Sequence, residues 1–135
     1  VTAPTLAVIV QSGGYDRAHY AFVLASAAAA VGRPAILFFT GRGLRALLPG
    51  APAALDPADD GSPADERDRA LGALGVATFE TLVSACAELG VRFVACEMGL
   101  RAEGLEPSDL RTDLDVEVAG VVTLLAQADG PILHV

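Results

Sequence analysis

The sequence contains no lysine, and its nine basic residues are all arginine, set apart at positions 17, 33, 42, 45, 67, 69, 92, 101 and 111. Binding a nucleic acid takes a cationic patch that displaces counterions from phosphates. Arginines so scattered make none, and 17 acidic residues bring the formal charge to -8. No nucleic-acid partner is expected. Cysteine is scarce too. Cys86 and Cys96 are the two present, too few to staple a disulfide scaffold. With two histidines beside them and no CxxC spacing, no metal centre is expected. Long apolar runs are also missing. The most apolar stretch, 18–31, is interrupted by His19, Tyr20 and Ser26 and stops at Gly32-Arg33-Pro34. That is short of the roughly 20 residues a membrane span needs. It follows a strand-like segment and has no basic leader in front of it. No membrane association is expected, and the protein is expected to be cytoplasmic with both cysteines as thiols.

What is present is material for a core. Hydrophobic residues make up 53% of the 135, enough to bury about two thirds of the extended surface in one domain spanning 1–135. Segments 6–10, 35–39 and 91–95 are apolar or nearly so, as strands buried on both faces are. Segment 114–118 alternates, with Leu114, Val116 and Val118 against Asp115 and Glu117; 131–135 reads as a final short strand. Between them lie an Ala-rich helix to about Val31, with Asp16 as a cap, and short helices over 44–48, before Gly75 and over 97–103. Phe79, Leu82, Val83 and Cys86 recur at helical spacing behind Thr78, and a last helix covers about 120–128. Residues 49–68 hold four prolines and six acidic residues and read as an exposed, mobile loop insertion with room for a helical turn. This order predicts a three-layer α/β/α sandwich with a mostly parallel five-stranded sheet.

Such sheets bind ligands beyond the carboxyl ends of their strands. Three segments qualify: 11–15 after the first strand, with Gln11, Ser12, Gly13 and Tyr15 as candidates; Thr40 to Gly43 after the second, with Arg42; and 96–99 after the third, with Cys96, Glu97, Met98 and Gly99. Cys96 is the candidate nucleophile, because backbone N–H groups opening the next helix favour a thiolate. The competing reading is a packed apolar cysteine. His19, early in the first helix, is a candidate base if its strand neighbours that of Cys96. Cys86 falls on an inward helix stripe and His134 in the final strand, and both are expected to be structural. Gly13-Gly14 and Gly41-x-Gly43 match neither GxGxxG nor a P-loop, so no cofactor is expected. Asp113 and Asp115 alone make no cation site.

Residues 88–104, ELGVRFVACEMGLRAEG, resemble the DsrE/DsrF-like family, whose members show Gly-Val-x-hydrophobic-x-x-Cys running into a helix that ends in glycine. Residues 6–39 resemble its opening strand, Ala-rich helix and second strand, and GVVTLLAQA at 120–128 resembles its penultimate helix. The resemblance implies a sulfur-relay protein. Cys96, matching the family cysteine, would accept sulfane sulfur as a persulfide and pass it to a protein partner, as in dissimilatory sulfur oxidation or tRNA thiolation. It also implies homo- or hetero-oligomers. Two departures stand out: the acidic insertion, and Glu97-Met98-Gly99 in place of the Ala-rich stretch of the tRNA-thiolation members. A different expectation keeps the same fold: a non-enzymatic oligomeric, small-ligand-binding protein in which Cys96 only sits beside a pocket. A thiol redox protein would require Cys86 and Cys96 to meet within disulfide range.

Overall fold

The computed structural model describes residues 3–135. Five parallel strands form one sheet: β1 (Leu6–Val10), β2 (Ala35–Phe39), β3 (Arg92–Cys96), β4 (Val116–Ala119) and β5 (Ile132–His134). Their order across the sheet is β4-β3-β2-β1-β5. The helices are α1 (Tyr15–Ala30), α2 (Ala64–Ala73), α3 (Phe79–Glu88), α4 (Glu97–Ala102) and α5 (Val121–Gln127). The sheet is parallel throughout, and the fold is α/β.

The topology explains the layers. From β1 through β4 the chain steps one strand at a time in one direction, and then returns across the whole sheet to β5. Right-handed crossovers put connections that step in one direction on one face and connections that step back on the other. The first face accordingly carries α1 and α3. Phe22 of α1 packs against Phe39, Phe79 and Phe93, with its ring edge-on to Phe79 at 5.1 Å. The other face buries Ala7, Ile36, Phe38, Val94 and Cys96 beneath Leu124 of α5. Leu124 is the one buried residue of that helix.

Residues 49–68 are not exposed throughout, against the expectation from their composition. Ala51, Leu55, Ala58 and Ala64 join the first-face core, and α2 starts inside the stretch. Proline and acidic content hid four small apolar anchors spaced along the insertion. A 3₁₀ turn, Gly41–Leu47, replaces the helix expected at 44–48. Asp16 is not the cap of α1. Gly14 holds that position, and the Asp16 carboxylate instead accepts the Asp59 N–H at 2.5 Å. Among the described residues no helix is long and apolar enough to cross a membrane.

Candidate functional site

Cys96 ends β3 and serves as the N-cap of α4. Its Sγ accepts the Gly99 N–H at 3.4 Å, doing with sulfur what a serine or aspartate oxygen does at a helix start. The thiol is 3% exposed. Gly99 is glycine for a steric reason. A Cβ there would stand 2.7 Å from Thr40 Oγ1 and 2.9 Å from the Gly41 nitrogen. Removing the side chain lets α4 settle onto the loop after β2 and keeps the N–H on the sulfur. Of the two residues between, Glu97 pairs with Arg101 at 3.2 Å and Met98 is 73% exposed.

Strand register identifies the neighbours. Ala95 pairs with Phe39, and Phe39 with Val10. One residue further along each strand stand Cys96, Thr40 and Gln11. Side chains alternate between faces along a strand, and Phe38 and Ile9 both face the second cluster. Thr40 and Gln11, two residues on, share the face of Cys96. On the other side of Cys96 lies Ala119 of β4. Sequence reasoning placed Thr40 in the candidate segment 40–43 but gave it no role of its own, since it carries no motif. The available signal was its place as the first polar residue after a buried strand, next to the strand that ends in cysteine.

The crevice after β1 is already filled from within the chain. Asp56 accepts the Tyr15 N–H through its backbone oxygen at 3.3 Å and donates its own N–H to Gly13 O at 2.8 Å. Its carboxylate holds Arg42 in a two-pronged ion pair. The guanidinium keeps the Asp56 carboxyl below the usual carboxylate range. Gly13 lies beneath this strap: a Cβ would meet Asp56 Oδ2 at 2.6 Å and Arg42 Cβ at 2.8 Å. Ser12 Oγ accepts the Gly14 N–H at 3.0 Å. Tyr15 is buried and donates its hydroxyl to Asp68 at 2.5 Å, while Asp68 also accepts the Phe79 N–H at 2.8 Å. Burial, with Asp68 beside it, pushes the Tyr15 hydroxyl well above its ordinary value. The cap of α3 therefore comes from Asp68, eleven residues upstream, since Thr78 makes no side-chain cap bond.

The structure does not bring His19 to Cys96. Strand β2 lies between β1 and β3, and the buried apolar residues of α1 join the first-face cluster. His19 Nε2 donates to the Ala77 carbonyl at 2.8 Å. His134 is the histidine on the second face, because it pairs with Ile9. Its Nε2–H donates to Gln11 Oε1 at 2.7 Å. Cys86 is buried on the first face, its thiol pushed up to about 12 by burial. The two cysteines belong to opposite clusters and both are free thiols. Among the described residues no group of three or more His, Cys, Asp or Glu side chains is placed to hold a metal ion. An open cavity of about 500 Å³ adjoins α4 on its outer side, lined by Glu97, Leu100, Arg101, Glu106 and Val118 among others. Cys96 is not in its wall.

No curated protein matches this chain. The sequence model of the DsrE/DsrF/DrsH-like family matches residues 2–59, which hold β1, α1 and β2; Cys96 lies outside them. Among solved structures, the ychN protein from E. coli superposes with a TM-score of 0.60 at 13% identity, covering 98% of this chain and 99% of that one. A protein of unknown function from Methanobacterium thermoautotrophicum, MTH1491, gives 0.61 at 16% identity with the same coverage. At those identities the likeness concerns the fold. The opening segment, residues 2–59, is thus similar in sequence to the DsrE/DsrF/DrsH-like family, and nearly the whole chain shares the fold of those two solved structures.

Proposed function

We propose that this protein is a sulfur relay that accepts a sulfane sulfur on Cys96 as a persulfide and hands it to a protein partner. The observation that carries the reading is the cysteine at the carboxyl end of β3, capping α4 and receiving the Gly99 N–H. The Gly99 N–H gives the sulfur a hydrogen-bond donor fixed by the helix start. Once the thiol has released its proton to solvent, the thiolate attacks the outer sulfur of a donor R–S–SH. The new Cys96 S–S bond forms as the donor S–S bond breaks, and the electron pair leaves on RS⁻. An acceptor thiolate then attacks the outer sulfur of the persulfide and returns Cys96 as thiolate. Sulfane sulfur changes carrier and no outside oxidant is needed. The low exposure of Cys96 favours small donors. Likeness to the DsrE/DsrF/DrsH-like family supports the same reading.

The protein works as a homo-oligomer in this proposal, in the reducing cytoplasm, where Cys86 and Cys96 stay thiols. The exposed Val121, Val122 and Leu125 of α5 and Ile132 and Leu133 of β5 support assembly. A second reading, non-enzymatic binding of a small ligand, draws on the cavity beside α4, which Cys96 does not line.

Intact-mass analysis after treatment with inorganic polysulfide separates the two. A reductant-sensitive gain of one sulfur, about 32 Da, is expected on the wild type and not on Cys96→Ser. A folded wild type that takes up none points to the ligand-binding reading. An adduct retained on Cys96→Ser moves the chemistry to Cys86.

A further inference from the structure

We infer that the open edge of β4 is a docking site for an extended basic segment of a partner protein, which adds to the sheet as a further strand. Strand β4 ends the sheet and pairs with β3 alone. Among the described residues no backbone bond joins its outer side to another part of the chain. Such an edge holds a row of free N–H and C=O groups, a template for one more strand. A cavity opens beside it. Val118, 44% exposed, lines this space of about 500 Å³ together with Leu100 and Leu105. Val116 packs against the first-face core, and alternation along the strand puts Val118 on the same side. An added strand would point every second side chain to that side, and the cavity has the volume to take one.

Charge selects the occupant. By the same alternation Asp115 and Glu117 lie on the side opposite Val116 and Val118. Glu117 is held by Arg92 of β3 at 2.9 and 3.0 Å, and Glu97, at the cavity, is paired with Arg101. Asp115 and Glu106, the latter also in the cavity wall, make no ion pair among the described residues. Two copies of this chain paired edge to edge would bring Asp115 and Glu117 close to their own counterparts. Like charges across a strand pair destabilise it, and the chain already carries a net charge of -8. A partner strand with apolar residues toward Val118 and lysine or arginine toward Asp115 fits both sides. The other open edge, β5, is three residues without an acidic side chain, and makes no such selection. The inference stands on β4 and does not need Cys96 to carry sulfur.

The probe is a fluorescein-labelled peptide, Arg-Val-Lys-Val-Lys-Val-Arg, titrated with the full chain and followed by anisotropy. A second peptide is N-methylated at every backbone nitrogen, which keeps its charge and removes its donors. Binding of the first is expected, with slowed amide exchange at 116–119, and about tenfold weaker binding of the second. Val118→Arg, which fills the cavity and adds a like charge, should weaken binding about tenfold. Asp115→Asn combined with Glu106→Gln should weaken it about fivefold, and carries the test if the arginine variant fails to fold. Equal affinity for the two peptides assigns the binding to the general negative charge and overturns the inference. Slowed exchange at 132–134 in place of 116–119 overturns it in favour of β5. No binding overturns it as well, and leaves the acids as guards that keep the edge single. If no peptide binds and Val118→Arg turns a dimer into a monomer in sedimentation, the edge belongs to a second copy.

Discussion

The two faces of the sheet are built to different standards. Among the described residues the first buries 28 between the sheet, α1, α3 and the insertion, with four phenylalanines interlocked at its centre. The second buries six, under one seven-residue helix that leaves Val121, Val122 and Leu125 outside. Stability scales with apolar surface removed from water, so the fold is held chiefly from the first face. The second face holds Cys96, Thr40, Gln11 and His134. A site on the thinly covered face can be approached or rearranged without opening the main core.

Paired truncations test that division. Phe22→Ala should cost about 4 kcal/mol in denaturant unfolding, the upper range for a buried aromatic. Leu124→Ala should cost about 2 kcal/mol, because its surroundings border solvent and can collapse. Equal costs would break the comparison. Next in size is Asp68→Ala, at about 3 kcal/mol or less, since it leaves the Tyr15 hydroxyl and Phe79 N–H without their acceptor. Gly99→Ala tests the other face. The clash with Thr40 and Gly41 should cost about 2 kcal/mol, and sulfur uptake at Cys96 should fall by more than stability alone accounts for.

Alkaline unfolding sharpens the picture of the first face. Cys86 and Tyr15 both bind their protons more tightly in the folded chain than at their ordinary values of 9.0 and 10.0. Their stabilising contribution is full below those values and is lost as the pH rises past them. Thermal midpoints should fall from about pH 9 upward, the Cys86 share ending near its folded value of about 12. Cys86→Ala should delay the onset, and Tyr15→Phe should flatten the steeper part. The smallest effect belongs to Arg42→Ala. An exposed ion pair contributes little, and the thermal midpoint should move by close to the error of the measurement.

Much of this was legible in the chain. Strands β1, β2 and β3 announce themselves because both faces of a central parallel strand are buried, leaving apolar runs interrupted only by Arg92 at the start of β3. Cys96 is visible for the same reason, as the residue where such a run meets a helix start. The burial within the insertion was missed because local composition records solvation and turns, while Ala51, Leu55, Ala58 and Ala64 join a core cluster whose other members lie far away in sequence. The pairing of His19 with Cys96 went astray on strand order. Hydrophobic pattern says that a segment is a strand without saying which strands are neighbours.

The sequence by itself determined the element order, the α/β class and the cysteine at a strand end, since each depends on nearby residues and their period. Tertiary structure alone decided that β2 separates β1 from β3, that α5 lies by itself on one face, and that Thr40 and His134 share that face with Cys96 while His19 does not. Register and the handedness of crossovers act between distant segments, and no local pattern encodes them.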